Sequence, residues 1–381
     1  MEIALITNSI YPFVIGGIQK HSYFLAKYFA MNKINVDVYH PTDTNDITLT
    51  DYYSEDELNY INFIIVPYPK SRKFPGHYIY NSYLFSKRLY RSVSKTKEPH
   101  IIYAQGFTSW YFLKKDPFCK NLISNLHGLE MFQTSINLKN KLEQFLLRLP
   151  AHTIIKKSNK QVSLGGKLTT LLLDNGAKKN SIKVLPNAIE ANWIQPTSQI
   201  ETQTPKKKLK LIFIGRYERR KGIEEFHDVI KSTIDNLNYE VEFIGPIPID
   251  KQLIHDQVVY FGTIRDSDFI KQKLTNADVL ICPSYSEGMP TVILEAMACG
   301  CAIIATDVGA VSLMVSSSNG ILLKGLNIKD ELQEGIKQIT MLKEKSIKEL
   351  KRNSIVKVKE HFTWDLAIKK TIKEIISERH F

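Results

Sequence analysis

The segment 283–300 reads P-S-Y-S-E-G-M-P-T-V-I-L-E-A-M-A-C-G and is the most informative part of the chain. A predicted strand ends at Cys282, a loop follows, and Pro290 suits the first turn of the helix that comes next. The free N–H groups at such a helix start favour an anionic or oxygen-rich ligand. Glu287 before the helix and Glu295 inside it could accept hydrogen bonds from the hydroxyls of a sugar or ribose. The alternative is that Glu287 only starts the helix and Glu295 is solvated.

Short apolar runs alternate with helix-period segments in two series along the chain. In the first series, strands are predicted at 3–6, 36–39, 61–66, 101–104 and 122–126, and helices around 24–29, at 78–91 and at 138–149. Residues 161–185 are predicted to form a strand, a helix and another strand. In the second series, strands are predicted at 209–214, 241–244, 258–261, 279–281 and 302–304, and helices at 223–234, 269–274, 291–298, 328–339, 347–359 and 364–376. This alternation predicts an α/β fold with parallel sheets.

The length of 381 residues suits two domains. Residues 195–208, which are rich in Pro, Thr, Ser, Gln and Lys, are predicted to link an N-terminal domain (1–194) to a C-terminal domain (209–360). Both domains are predicted to be Rossmann-like and doubly wound, and to face a central cleft at the carboxyl ends of their strands.

The chain carries 51 Lys and Arg against 39 Asp and Glu, and residues 1–190 account for +10 of the net charge of +12. Cations interleave with aromatic residues between 68 and 95, and 138–149 is a basic amphipathic segment, a pattern that suits an anionic membrane surface. The predicted membrane-contacting cations are Lys70, Arg72, Lys73, Lys87, Arg88, Arg91 and Lys95. The alternative is a solvated helix face over buried tyrosines, and no motif favours nucleic acid.

The four cysteines do not suggest a disulfide framework in a chain of this length. Cys299 and Cys301 are expected to be small buried residues rather than metal ligands. The sequence has neither the pattern of a signal peptide nor an apolar run long enough to span a bilayer. We therefore expect a cytoplasmic protein that binds peripherally at the inner face of the cytoplasmic membrane.

A second strand–turn–helix segment, F-I-G-R-Y-E-R-R-K-G at 213–222, carries cations at its turn. Arg216 and Lys221 flank the turn and could converge on a diphosphate, since arginine offers a forked donor and lysine a compact charge. The alternative is a solvated basic loop, and solvation is the expectation for Arg219 and Arg220.

Two segments of the first series could also carry chemistry. Gly16 and Gly17 lie between a strand and a helix, where successive N–H groups could cradle a phosphate or where the pair simply makes a tight turn. The chain holds no clean G-x-G-x-x-G, which counts against a dinucleotide dehydrogenase. His127 follows a buried strand and is predicted to face the cleft, with a hydrogen-bonded structural histidine as the alternative.

Together these segments resemble glycosyltransferase family 4, the retaining nucleotide-sugar enzymes of GT-B architecture. The resemblance covers nearly the whole chain, and its specific pair is the helix-containing segment 287–300 with the basic loop 215–222. The resembling segments are G-G-I-Q-K-H (16–21), H-G-L-E (127–130), K-V-L-P-N-A-I-E (183–190), G-R-Y-E-R-R-K-G (215–222), E-G-M-P-T-V-I-L-E-A-M-A-C-G (287–300) and A-T-D-V-G-A (305–310).

The resemblance implies roles for the matching residues. Arg216 and Lys221 would hold the donor diphosphate, and Glu295 would bind the ribose. Glu287 would contact the hydroxyls of the donor sugar, and His127 would contact that sugar near its reacting carbon. The implied catalytic residues are therefore His127, Arg216, Lys221 and Glu287. The implied donor-binding residues are Gly16, Gly17, Gly215, Arg216, Lys221, Glu287, Gly288, Met289, Pro290, Thr291 and Glu295.

The implied activity is retaining transfer of a sugar from a nucleotide-sugar donor, with a UDP-sugar favoured, to a hydroxyl of a glycan or lipid-linked acceptor. The C-terminal domain would bind the donor, the N-terminal domain would bind the acceptor, and helix 361–381 would pack on the N-terminal domain. The expected role is synthesis of a bacterial surface polysaccharide such as a capsule, an O-antigen or an exopolysaccharide. The alternatives are a nucleotide-sugar epimerase or hydrolase of the same architecture, and a non-catalytic membrane-associated sugar-nucleotide-binding protein.

Two cations aimed at the leaving diphosphate make a metal ion unnecessary, so no cofactor is expected. The competing motif is Asp266-Ser267-Asp268, which matches the D-x-D of metal-dependent glycosyltransferases. It precedes a predicted helix, where Asp and Ser are preferred caps, and the cap interpretation is favoured.

Overall fold

The structure is a computed structural model that describes residues 1–42, 47–72, 74, 76–96, 99, 101–116, 119, 121–134, 138–202, 208–234 and 237–376. It divides into two compact units. The first unit comprises Met1–Asn187 and Trp364–Phe381, and the second unit comprises Ala188–Thr363.

The division between the units follows Asn187 rather than residue 194. The backbone N–H of Ile189 donates to the carbonyl of Phe362 at 2.8 Å, so the chain is hydrogen-bonded within the second unit as soon as it enters it. Residues 195–202 and 208 of the predicted linker therefore belong to the second unit, and residues 203–207 lie outside the described residues.

A seven-stranded parallel sheet forms the centre of the first unit, in the order β3-β2-β1-β4-β5-β6-β7. Residues 3–6 of β1 are fully buried, as apolar runs are when helices pack on a parallel sheet. The strands are β1 (Glu2–Ile6), β2 (Asn35–His40), β3 (Ile61–Ile65), β4 (Ile101–Gln105), β5 (Leu122–Asn125), β6 (Lys160–Ser163) and β7 (Ile182–Val184).

The first unit also contains the last helix of the chain, which packs against its first helix. The Trp364 ring stacks on Tyr28 with ring centroids 5.6 Å apart, and Lys183 pairs with Glu374 at 3.4 Å. The helices of the unit are α1 (Gly17–Met31), α2 (Glu55–Leu58), α3 (His77–Val93), α4 (Trp110–Lys115), α5 (Leu138–Lys157), α6 (Lys167–Asp174) and α14 (Trp364–Ile375).

A six-stranded parallel sheet forms the centre of the second unit, in the order β10-β9-β8-β11-β12-β13. Its strands are β8 (Leu209–Ile214), β9 (Tyr239–Ile244), β10 (Val258–Tyr260), β11 (Val279–Cys282), β12 (Ala302–Thr306) and β13 (Gly320–Leu323). Its helices are α7 (Ser198–Glu201), α8 (Ile223–Ser232), α9 (Ser267–Asn276), α10 (Thr291–Ala298), α11 (Val311–Met314), α12 (Ile328–Thr340) and α13 (Glu344–His361).

These elements confirm the predicted α/β fold and its two parallel sheets. The sequence does not predict the short helices α2, α4, α7 and α11 or the strand β13, because each is too short to show a period of its own. Cys299 and Cys301 are buried, as predicted. In the second unit, β8 and β11 are neighbours, and the turn after β8 and the loop after β11 therefore leave the same edge of the sheet.

Candidate active site

Lys221, in the turn after β8, forms an ion pair with Glu287, in the loop after β11. The Lys221 Nζ donates to Glu287 Oε1 at 2.5 Å, and the Ser284 hydroxyl donates to the same oxygen at 2.8 Å. The Glu287 side chain is 9% exposed and that of Lys221 is 19% exposed. Water screens such a pair weakly, so the two charges interact strongly.

Arg216 is the most exposed cation of the same turn. Its side chain is 66% exposed, and its Nη1 lies 3.0 Å from Glu218 Oε1. An exposed pair of this kind contributes little to stability, so the Arg216 guanidinium can exchange Glu218 for another anion at low cost. Gly215, which precedes it, continues the β8 ladder by donating its N–H to the Ile244 carbonyl at 2.9 Å.

Arg219 and Arg220 are about one-third exposed, with side-chain exposures of 36% and 31%, and both form ion pairs that the expectation of a solvated loop did not include. Arg220 Nε lies 2.8 Å from Glu218 Oε2, and its Nη1 lies 3.9 Å from Glu287 Oε2. The Arg219 guanidinium donates to Glu225 Oε2 at 2.7 Å. Glu218 and Glu225 lie within six residues of these arginines, and Glu287 lies in the loop after β11. Counting charges along the sequence does not reveal these pairs.

Tyr285 ties the loop after β11 to this turn. Its hydroxyl donates to Glu225 Oε1 at 2.5 Å, its ring lies 4.9 Å from the Arg219 guanidinium carbon, and its backbone N–H donates to the Arg220 carbonyl at 2.8 Å. Hydrogen bonding to Arg219 and Tyr285 outweighs the effect of burial and lowers the pKa of Glu225. Sequence reasoning did not single out Glu225 or Tyr285. The sequence signal that could have identified them is their position in or beside the segments 215–222 and 283–300.

The turn and the loop approach each other at a glycine. Gly222 has φ +68°, and a Cβ built on it would lie 1.9 Å from the Pro283 carbonyl oxygen. A side chain at this position would therefore be excluded by sterics as well as strained. Close backbone contact is what allows Lys221, the residue before Gly222, to reach Glu287.

The predicted donor-binding residues of α10 and its loop surround the helix start. Gly288 accepts a hydrogen bond from the Ala310 N–H at 2.8 Å, Met289 and Pro290 are buried, and α10 begins at Thr291. Glu295 is half-buried one turn further along α10. Burial raises the pKa of Cys299 to about 12, and the Glu295 charge contributes to that rise.

His127 lies in the first unit and is part of a buried chain of hydrogen bonds. Its Nε2 donates to Gln105 Oε1 at 2.5 Å, and Gln105 Nε2 donates to His21 Nδ1 at 3.1 Å. Burial lowers the pKa of His127 well below its ordinary value and that of His21 to about 4, so both rings are neutral at pH 7. Sequence reasoning assigned no role to Gln105 or His21, although Gln105 follows a predicted strand and His21 ends the segment 16–21.

The backbone at His127 is unusual. Its φ is +59° and that of Leu129 is +52°, a conformation that costs side-chain-bearing residues about 1 kcal/mol or more each. The Asn125 side chain supports this turn, because its Oδ1 accepts the His127 N–H at 3.0 Å. A strained turn that is held by side chains is typical of a functional site.

Gly16 and Gly17 lie at the N-terminus of α1. Gly16 is extended, with φ 172°, and a Cβ on it would lie 2.2 Å from Gln19 Oε1. A Cβ on Gly17 would meet nothing within 4 Å. The space around Gly17 therefore permits a ligand to approach the backbone.

Asp266 caps α9, as predicted. Its Oδ1 accepts the backbone N–H of Asp268 at 2.9 Å and that of Phe269 at 3.3 Å. The D-x-D motif therefore has a structural role at a helix start.

The predicted membrane-contacting cations differ in their surroundings. Arg88 donates to the Pro67 carbonyl at 2.8 Å, and Lys87 Nζ lies 5.8 Å from the centroid of the Tyr111 ring, so both have partners in the first unit. Arg72, Arg91 and Lys95 are exposed, Lys70 is exposed at the edge of a cavity, and Lys73 lies outside the described residues. Within the described part of the chain, no helix is both long enough and apolar enough to cross a membrane.

Relatives of this chain are glycosyltransferases. It is 25% identical to an uncharacterized glycosyltransferase of Methanocaldococcus jannaschii, over 94% of this chain and 93% of that protein. It is 33% identical to a putative teichuronic acid biosynthesis glycosyltransferase of Bacillus subtilis, TuaC, over 40% of this chain and 41% of that protein.

Solved structures with the same fold cover nearly the whole chain. Sucrose-phosphate synthase from Thermosynechococcus elongatus has a TM-score of 0.79 at 16% identity, with 99% of each chain covered. Anabaena HepE in complex with UDP-glucose has a TM-score of 0.71 at 16% identity, with 99% of this chain and 100% of that chain covered.

Family models match both units of the chain. The model of Glycosyltransferase Family 4 matches residues 15–193, and the model of Glycosyl transferases group 1 matches residues 208–341. The chain therefore belongs to glycosyltransferase family 4, and its two parallel sheets are those of the GT-B fold.

Proposed function

We propose that this protein transfers a sugar, with retention of configuration, from a UDP-sugar to a hydroxyl of a glycan or lipid-linked acceptor in bacterial surface polysaccharide synthesis. The carrying observation is the ion pair between Lys221 and Glu287 at one edge of the second sheet, with the exposed Arg216 in the same turn as Lys221. The teichuronic acid relative and the UDP-glucose complex of HepE support the pathway and the donor, respectively.

The chemistry follows from the charges that this edge presents. In the transferring step, the acceptor oxygen bonds to the anomeric carbon, the bond from that carbon to the diphosphate oxygen breaks, and the acceptor proton passes to the departing phosphate. Lys221 and Arg216 stabilise the charge that grows on the diphosphate, which favours the transition state over the ground state without a metal ion. His127 is neutral, so its part is a hydrogen bond to the donor sugar rather than a positive charge.

A bound diphosphate competes with Glu287 for the Lys221 ammonium. When Lys221 turns to the phosphate, the Glu287 carboxylate becomes an acceptor for sugar hydroxyls while Ser284 still donates to it. The ion pair thus holds both groups in place before the donor binds, which reduces the ordering cost of binding.

Thermal stabilisation by UDP-, GDP- and ADP-sugars tests the donor proposal. We expect a UDP-sugar to raise the melting temperature of the wild type but not that of Lys221→Met. The matched control is Lys210→Met, which removes a lysine that pairs with Glu242 at 3.3 Å near the start of β8. An equal response of the two variants would contradict the proposal, and donor consumption without acceptor would favour an epimerase or hydrolase.

We also propose peripheral binding of the first unit to an anionic membrane. The first unit holds 28 Lys and Arg against 16 Asp and Glu, whereas the second unit holds 23 of each, so the first unit carries the whole net charge of +12. On α5, Leu142, Phe145 and Leu149 are 63%, 61% and 62% exposed. Their spacing places them on one face of the helix, where an apolar stripe can enter the interface while the cations meet lipid phosphates.

Sedimentation with vesicles that contain anionic lipid tests this binding. We expect the wild type to sediment at low salt and the triple variant Leu142→Ser, Phe145→Ser, Leu149→Ser to remain in solution. The matched control is Leu326→Ser in the second unit, where an 89% exposed leucine is removed. Absence of wild-type binding at low salt would refute the proposal.

A further inference from the structure

A cavity of about 460 Å³ opens at one edge of the first sheet, and none of the residues predicted to bind the donor lines it. Its volume lies within the range of small-molecule sites. The described residues that line it are Asn8, Ser9, Phe13, Val14, Pro41, Thr42, Tyr68 and Lys70.

Three neighbouring strands bring these residues together. Asn8 and Ser9 follow β1, Thr42 follows β2, and Tyr68 and Lys70 follow β3. Because β1, β2 and β3 are adjacent and parallel, the segments that follow them leave the same edge of the sheet. Ligands of open parallel sheets bind at this carboxyl edge.

The walls of the cavity are held in place by the core. The Phe13 ring packs against the His40 ring at 4.8 Å and against Phe63 at 6.5 Å between centroids. The Ser9 hydroxyl accepts a hydrogen bond from Gln19 Nε2 at 2.8 Å, which connects the cavity to the first turn of α1. A preformed wall of this kind binds a ligand at a smaller entropic cost.

Lys70 supplies the only charge among the described lining residues. His40, behind Phe13, adds none, because burial lowers its pKa and the ring is neutral at pH 7. The rest of the lining offers aromatic and aliphatic surface from Phe13, Val14 and Tyr68, and amide and hydroxyl groups from Asn8, Ser9 and Thr42. Apolar walls with a few polar groups fit a sugar ring, and one cation at the edge fits one anion.

We infer that this cavity binds the acceptor through a sugar ring that carries an acidic group, with Lys70 as the residue that contacts the acid. This inference rests on the proposed transferase function and adds the substrate class. The acidic group is the shared chemistry of a uronic acid and of a phosphorylated sugar. Lys70, which the sequence places among the membrane-contacting cations, is thereby assigned to the acceptor site.

Saturation-transfer NMR on the full chain measures the binding directly. The probes are methyl glucoside, methyl glucuronoside and methyl glucoside 6-phosphate, which share a ring and differ at carbon 6. Saturating UDP is present, so that the second unit offers no free diphosphate site to the phosphorylated probe. We expect at least one acidic probe to bind about tenfold more tightly than the neutral one, because a charge-assisted hydrogen bond is added. The acidic probe that binds more tightly identifies the acid.

Three variants separate this site from general charge effects. Lys70→Gln should abolish the preference for the acidic probe, Lys70→Arg should restore it, and Phe13→Ala should weaken all three probes. The matched control is Lys178→Gln, which removes an exposed lysine of the first unit outside the lining and should keep the preference.

The inference is overturned if the neutral probe binds as tightly as both acidic probes, or if Lys70→Gln retains the preference. Donor stabilisation is measured separately in the same variants. If Lys70→Gln loses the acid preference and keeps its response to UDP-sugar, acceptor recognition and donor binding are both supported. If no nucleotide sugar stabilises any variant while the Lys70-dependent preference remains, the transferase proposal fails and the acid-binding site stands.

Discussion

The Lys221 ammonium and the Glu287 carboxylate lie 2.5 Å apart although 66 residues separate them in the chain. Both groups were predicted to bind a donor, and in the structure they bind each other. The pair is formed by the turn after β8 and the loop after β11, which neighbouring strands deliver to one sheet edge. In the proposed donor site, these two charges therefore balance each other before a donor arrives.

Breaking this pair should affect transfer and stability differently. Lys221→Met and Glu287→Gln should each lower kcat/KM by about 100-fold or more, since each removes a group aimed at the donor. Each should also lower the free energy of unfolding by about 1–3 kcal/mol, because the charged group that remains has lost its ion-pair partner. Urea unfolding should show that the double variant loses less than the sum of the singles. Additive losses would mean that the pair does not couple.

Tyr285→Phe should weaken donor binding, because Tyr285 positions the loop after β11 and does not itself contact the donor. It removes the hydroxyl that donates to Glu225 at 2.5 Å and loosens the loop that carries Ser284 and Glu287. We expect the donor KM to rise severalfold with the acceptor KM unchanged, in kinetics that vary both substrates. The control Tyr239→Phe removes a hydroxyl 3.2 Å from Thr233 and should leave both constants unchanged. An equal rise of both constants in Tyr285→Phe would contradict a positioning role.

Two glycines with the same backbone conformation should respond differently to alanine. Gly222 and Gly262 have φ +68° and +67°, but a Cβ on Gly222 would collide with Pro283, whereas a Cβ on Gly262 would meet nothing within 4 Å. Gly262→Ala should cost about 1 kcal/mol of stability from backbone strain alone. Gly222→Ala should cost several times more, or displace the turn and abolish donor binding. Similar melting temperatures for the two variants would show that the turn can move away from Pro283.

Acid should destabilise the first unit through His21. Its pKa is about 4 in the folded chain against an ordinary value of 6.5, so between these values the unfolded chain binds more protons. The stabilisation is complete above pH 6.5 and disappears as the pH falls through 4. The loss amounts to at most about 3 kcal/mol from this ring.

Urea unfolding at pH 7.5 and pH 4.5 checks this dependence. His21→Asn should reduce the change in midpoint, with His127 and His40 still contributing, whereas His361→Asn, at a 61% exposed side chain, should leave it as in the wild type. If His21→Asn keeps the full wild-type dependence, other groups account for the acid sensitivity.

Local patterns were sufficient to predict most of the fold. Buried parallel strands are short apolar runs, and amphipathic helices show their period, so β1, β8 and α10 could be located within one or two residues. Capping chemistry was equally local, and Asp266 was correctly predicted as a cap because its partners lie two and three residues away. The contact-based division between the units lies earlier than the predicted linker, after Asn187, because it depends on backbone hydrogen bonds such as that from Ile189 to Phe362.

The candidate site was only partly predictable for the same reason. Arg216, Lys221 and Glu287 lie in recognisable strand–turn–helix segments, so the sequence alone identifies them as candidates. The sequence does not identify the residues that pair with them. Glu225, Tyr285 and Gln105 contribute single polar groups whose importance depends on which strands are neighbours.

The chain order of apolar and polar residues thus specified two parallel sheets and the family, because secondary structure and motifs depend on neighbours in sequence. Tertiary packing specified the rest. It paired Lys221 with Glu287, neutralised His127 by burial, and placed Lys70 at the edge of a cavity. Electrostatic energy depends on distance and burial in space, and both are set only when distant segments meet.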